Sequence, residues 1–226
     1  LARYQVPLLL LLDRRYSNAP WVSASSDLPT DQLIRARSDQ VLYRAKPAPS
    51  GKRGRPRLDG ERFKGSDSTT HGTADEQWQG LDQQGREVQV TVWDKLHVRK
   101  ARSVELAVIR VVRASARATK RDPREAWFWW LGGKRPRLQE IPQLYGRRYG
   151  QEHGYRVDKQ ELLWAKPRVR TPEQMQRWTD IVASVRNQVV LARTRVDGER
   201  RAWERAGREV TPSQVRRALG RIIAQI

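Results

Sequence analysis

Val6-Pro7-Leu8-Leu9-Leu10-Leu11-Leu12-Asp13 is the stretch that decides the fold. It is an unbroken apolar run of strand length, closed by an acid and then by polar, turn-forming residues. Such a run suits a β-strand buried on both faces, in a parallel or mixed sheet. Asp13 then stands at the carboxyl end of its strand, where open α/β sheets place their chemistry. The plainer alternative is an Asp that caps the following Asn18-Ala19-Pro20-Trp21 segment. The run falls well short of the ~20 apolar residues needed to span a bilayer. No small-residue cleavage pattern of a signal peptide follows it.

A chain of 226 residues can bury a real core, as one large domain or one domain with a substantial insertion. Its formal net charge of +20 and pI near 11.2 favour a polyanionic partner such as nucleic acid. There is no cysteine, which excludes disulfides and thiolate metal sites and is compatible with a reducing cytoplasm. The chain starts at Leu1, and Met175 is its only methionine. It therefore reads as a fragment missing at least one element upstream.

Working outward, Pro29 to Ala36 suggests a short helix and Gln40 to Lys46 a strand. Pro47 to roughly Gly85 is rich in Gly, Pro, Ser, Thr and charge, and predicts an exposed arm or loosely structured insertion. Within it, Lys52-Arg53-Gly54-Arg55-Pro56-Arg57 resembles an AT-hook, an arginine-flanked extended backbone that fits a narrow A·T minor groove. A solvated basic loop touching phosphates is the alternative. Glu87 to His97 and Val104 to Val112 read as a strand pair. Ala126 to Leu131, before Gly132-Gly133, reads as another buried strand, its three tryptophans serving either as core or as a base-stacking platform. Leu138 to about Trp164 predicts one long helix, broken near Gly146 or Gly154. Thr171-Pro172-Glu173 and Thr211-Pro212 are helix starts, with Thr as N-cap and Pro in the first turn.

Tyr145, Arg148, Glu152 and Lys159 follow one another at offsets of 3, 4 and 7. On a helix turning roughly 100° per residue they lie within about 60° of one another. One carboxylate among a phenol, a guanidinium and an ammonium makes a poor core but a good way to hold a metal ion against a phosphate. Phosphodiester chemistry with Mg²⁺ calls for hard carboxylate oxygens, and Asp13 and Glu152 are suitable donors. Arg148 and Lys159 suit flanking phosphates, and Arg156 widens the ridge. The alternative is a solvated helix with Arg148–Glu152–Arg156 ion pairs. A third carboxylate is not evident, since Asp27, Asp31 and Asp39 sit in turn or capping contexts.

Tyr145-x2-Arg148-x3-Glu152-x6-Lys159 reproduces the Tyr-Arg-Glu-Lys (YREK) signature of bacterial insertion-sequence transposases of the DDE type. Asp13, in Leu10-Leu11-Leu12-Asp13-Arg14-Arg15-Tyr16, is similar to their second acidic residue. The resemblance covers most of the chain. It implies an α/β fold: a ribonuclease H-like (retroviral integrase-like) core, incomplete at its N-terminus, with a β-rich insertion before the catalytic helix and further helices at the C-terminus. The expected division is 1–46 for the first part of the core, 47–125 for the basic arm and insertion, and 126–226 for the catalytic and C-terminal helices.

By the same resemblance Asp13 and Glu152 are catalytic metal ligands for Mg²⁺, with Mn²⁺ as an alternative. Tyr145, Arg148, Arg156 and Lys159 contact DNA, as do Lys52, Arg53, Arg55 and Arg57 of the arm. Trp93 or Trp78 stacks on a flipped base. The implied partners are double-stranded DNA, as transposon ends and target, and a second copy in a homodimer, in the bacterial cytoplasm near the nucleoid and without a membrane. The first acid of the triad has no counterpart, so the fragment alone is expected to be inactive. A non-catalytic basic DNA-binding protein and an inhibitory truncated transposase are the competing expectations.

Overall fold

The computed structural model describes residues 8–48, 57–82, 85–114, 124–195, 201–204 and 210–223. The chain divides into two compact units, Leu1–Arg148 and Tyr149–Ile226. In the first, the decisive run forms β1, Leu9–Leu12, while Val6 and Pro7 lie outside the described residues. β1 pairs in parallel with β2, Asp31–Ala36, with Leu12 opposite Ile34. Helix α1, Ala19–Ser25, connects them. The Asn18 side chain accepts the Trp21 N–H at 2.9 Å, and Pro20 lies in the first turn.

The helix expected over Pro29–Ala36 is therefore a strand, and the connecting helix comes one segment earlier. Leu33 and Ile34 are both fully buried, in opposite clusters on the two sides of the sheet, which one stripe of a short helix could not achieve.

The other strands are β3 (Val41–Tyr43), β4 (Arg62–Lys64), β5 (Glu76–Leu81), β6 (Glu87–Val98), β7 (Ala101–Arg113) and β8 (Glu125–Leu131). They extend one mixed sheet in the order β1-β2-β8-β7-β6-β3-β4, with β5 on the side of β6. Every pairing beyond β1–β2 is antiparallel. β8 lies between β2 and β7, with Trp129 opposite both Ile34 and Val108.

Ile34, Val108, Trp127 and Trp129 pack on one side with Val22 of α1; Leu33, Ile109, Phe128 and Trp130 pack on the other with Ile141. The three tryptophans of β8 are at most 5% exposed, so they are core. Past β8 the chain turns at Gly132, whose φ is +137°, and Gly133 donates to Asp31 Oδ1 at 2.9 Å. A Cβ at Gly132 would stand 2.1 Å from that oxygen, so the latch requires glycine.

The arm expected from Pro47 to Gly85 is in part built into the sheet. Phe63 is fully buried, its ring 5.0 Å from His71 and 5.2 Å from Trp93. A few aromatics on a polar segment suffice because Trp93 and Trp127 offer them a preformed surface. Asp59 is the polar counterpart of this docking. Its carboxylate, 14% exposed, takes Arg102 at 2.6 and 2.9 Å and His97 Nε2 at 3.0 Å. Hydrogen bonding from Arg102, opposed by burial and reinforced by His97, holds that carboxyl well below the usual carboxylate range.

Leu138 to Trp164 is not one helix. A 3-10 turn at Leu138–Glu140 leads into α2, Ile141–Leu144, and a second at Tyr145–Arg147 leads into α3, Arg148–Gln160. The expected break falls at Gly146, whereas Gly150 and Gly154 are accommodated inside α3. In the second unit α4 (Pro172–Leu191) starts as expected, with Thr171 accepting the Gln174 N–H at 3.3 Å, and α5 spans Pro212–Ile223. Asp158 of α3, 6% exposed, binds Arg186 of α4 at 2.8 Å, and Trp178 donates to the Trp164 carbonyl at 3.1 Å.

Two outcomes follow. Phe63→Ala should cost about 3–5 kcal/mol in urea unfolding, the usual loss for a buried aromatic. Asp59→Ala should destabilise the fold by an amount that does not change from neutral pH down to roughly pH 5. A depressed folded pKa contributes stability above the unfolded value of about 3.9 and loses it as pH falls further, so the gap between variant and wild type closes only in that acid range. Melting curves across pH check this.

Candidate functional site

Alternation along β1 carries Leu9 and Leu11 into the cluster that also holds Phe128 and Tyr145. Asp13, two positions on, continues toward that side at the strand's carboxyl end. Its carboxylate accepts the Arg15 N–H at 2.8 Å, so it bends the chain after β1. It does not cap α1, which is the task of Asn18. An Arg148 guanidinium nitrogen stands 3.7 Å from the same carboxylate, with side-chain exposures of 24% and 34%. A half-exposed pair of this kind contributes only about 0.2–1 kcal/mol to stability. Its interest is local: an acid and a guanidinium held together at a strand end.

Tyr145 lies in the 3-10 turn rather than in α3, so the four signature residues do not share one continuous α-helix. Its ring packs 5.0 Å from Phe128. Arg35 completes the group, its guanidinium 5.0 Å from the centre of Phe128 and 6.0 Å from that of Tyr145. One position past the Leu12–Ile34 pair, Arg35 is level with Asp13. Its position was obscured in the sequence because Pro29–Ala36 reads as helix; the signal available was the parallel register of two apolar runs.

In the second unit Glu152, Arg156 and Lys159 are all exposed on α3. At about 100° per residue they share an arc of roughly 60°, turned well away from buried Asp158. The Lys159 ammonium lies 6.0 Å from the Trp164 ring centre, and Trp164 also stacks with Tyr155. Trp164 is thus a second residue the sequence reading missed.

Trp93, expected to stack on a base, is 4% exposed and stacks on Trp127 with centroids 5.9 Å apart. In this arrangement it is core. Trp78 is partly buried against the opposite cluster. Arg57 is exposed, whereas Lys52, Arg53 and Arg55 lie outside the described residues.

Mg²⁺ takes oxygen ligands, commonly one or two carboxylates with waters and phosphate oxygens. Asp13 supplies one carboxylate in the first unit and Glu152 one in the second. Among the described residues no group of three His, Cys, Asp or Glu side chains could hold a metal ion. No described helix is long and apolar enough to cross a membrane.

A mixed α/β sheet with an acid and two guanidiniums at one strand edge is an arrangement suited to phosphate chemistry. Residues 2–99 match the family model of the DDE superfamily endonucleases. The matched stretch includes Asp13 and Arg35 and ends before Tyr145. The match covers the first part of the chain and supports a likeness to that family there. No curated protein matches the chain.

Arg148→Ala should leave stability within about 1 kcal/mol of wild type. It should nonetheless weaken duplex-DNA binding measured by fluorescence anisotropy, with Arg148→Lys intermediate because the ammonium lacks the planar fork.

Proposed function

We propose that the chain is the catalytic portion of an insertion-sequence transposase, cutting DNA at the element's ends and joining the freed 3′-hydroxyl to target DNA. The observation that carries this reading is the approach of Arg148 to Asp13 at 3.7 Å. It ties the first residue of the signature helix to the strand-end acid inside the stretch that matches the endonuclease model. The fold is then a ribonuclease H-like core made of 1–46 and 126–226, interrupted by an insertion over 47–125. The complete enzyme works as a homodimer on bacterial DNA in the cytoplasm.

Asp13 and Glu152 are the carboxylates that hold Mg²⁺, and a third oxygen donor is needed beside them. A bound ion would activate the attacking oxygen and stabilise charge on the leaving one. The protein's own groups bind and orient. Arg148, Arg156 and Lys159 grip the phosphates around the cleaved bond. Arg35, held over two rings, adds a guanidinium at the level of Asp13. Tyr145 positions the turn that leads to Arg148 and presents its phenol to the DNA end. The basic arm with Lys52, Arg53, Arg55 and Arg57 adds contacts to the duplex.

The chain, given Mg²⁺ and a duplex carrying the element's ends, is expected to bind the duplex and to cut it. Its cutting rate should drop at least about 100-fold in Asp13→Asn or Glu152→Gln, the scale of an electrostatic transition-state contact. Unchanged cutting in both variants overturns the catalytic assignment in favour of a non-catalytic DNA-binding protein.

A further inference from the structure

The β6–β7 ribbon ends in a turn at Arg99 and Lys100, closed by the Val98–Ala101 pair. Both turn residues are exposed, the Arg99 side chain to 70%. Lys95 is exposed where the register shifts between Trp93 and Leu96, its φ at +55°. Arg102 is exposed just past the closing pair. Over 95–105 the sequence holds these four cations and a single acid, Glu105, while Asp59 from outside the ribbon pairs with Arg102. Arg102 serves the fold through Asp59, but exposed like charges at Lys95, Arg99 and Lys100 repel and add nothing to packing, so the fold alone gives no reason to gather those three.

Asp59 then brings another. Its buried carboxylate grips Arg102 by two hydrogen bonds, takes His97, and stands 3.9 Å from Arg99. That fastens the 57–61 segment to the hairpin. Exposed Arg57, two residues from Asp59, lies within roughly 7 Å of it along the backbone.

The tip is also far from Asp13. β7 runs from the tip at Ala101 to Arg110, which is level with Trp127 and so with Ala36 at the Asp13 end of β2. Nine strand steps of about 3.3 Å put the two ends of the sheet roughly 30 Å apart. A small anion could touch one end only. A long polyanion can touch both.

We propose that the β6–β7 tip is a second duplex-DNA surface at the end of the sheet opposite Asp13. Its contacts come from Lys95, Arg99, Lys100, Arg102 and Arg57, and Asp59 is the positioning residue that holds Arg57 and Arg102 in place. The choice of duplex DNA rests on the proposed function; the surface itself rests on the hairpin.

The test uses the full chain and a 30-base-pair duplex, with anisotropy titrations at several salt concentrations and a melting curve for each variant. Arg99→Ala/Lys100→Ala should melt like wild type. It should make the dependence of log affinity on log salt shallower by about 1–2, since each phosphate contact contributes roughly 0.9. Asp59→Asn makes the chain more positive, so charge alone predicts tighter binding. Positioning predicts weaker binding at a temperature well below its melting point. Tighter binding by Asp59→Asn overturns the positioning role. An unchanged salt slope in the double variant, with wild type binding normally, overturns the hairpin surface alone. A wild-type chain that does not bind the duplex overturns this surface and the proposed substrate together.

Discussion

The burial of β8 between β2 and β7 is the constraint on which the rest of the first unit depends. Its side chains alternate between two apolar clusters, and from Ala126 to Leu131 all are at most 5% exposed. Each large apolar side chain buried this way contributes about 1.5–3 kcal/mol. A strand apolar on both sides needs two covers. Val22 of α1 serves one face, and Leu138, Ile141, Leu144 and Tyr145 serve the other. Because the second cover ends in Tyr145, covering the core also delivers Arg148 to the edge where Asp13 sits. Packing and the candidate chemistry therefore share one segment.

The signature from Tyr145 to Lys159 consequently belongs to two different kinds of structure. Tyr145 is part of the cover over the sheet, its ring on Phe128 and under Arg35. Glu152, Arg156 and Lys159 are surface residues of a helix whose own Asp158 is buried against Arg186. A helical wheel makes these residues neighbours by arithmetic. The 3-10 turn at Gly146 means that the phenol is fixed by tertiary packing while the charged residues are fixed by helix geometry.

Much of the sheet was legible because its strands carry long local signals. β6, β7 and β8 read correctly from apolar runs or alternation, as did the Thr-Pro helix starts, while β1 is a strand but only half-buried rather than buried on both faces. What misled was short or depended on distant partners. Leu33, Ile34 and Ala36 fit neither strict period, and their strand character comes from pairing with β1 on one side and β8 on the other. Phe63 and His71 lie in a polar stretch whose composition hides two docked rings. Arg35 could not be placed beside Asp13 without the register, and Trp164 could not be tied to Lys159 without the turn after α3. Trp93 shows the opposite error: an aromatic in an insertion invites a ligand, yet its surroundings make it core.

The β2–β8 ladder also has a kinetic meaning. Ala36 and Trp127 are partners across it although about 90 residues separate them, and closing so long a loop from an open chain costs on the order of 4 kcal/mol. The β6–β7 ribbon is local by comparison, joined by a two-residue turn, and β8 is the next strand along the chain. An order in which the ribbon zips first, β8 adds to it, and β2 arrives last spreads that entropy over smaller steps. The β6–β7 ribbon would then act as the folding template for the rest of the sheet, and the edge bearing Asp13 would be the last part of it to form.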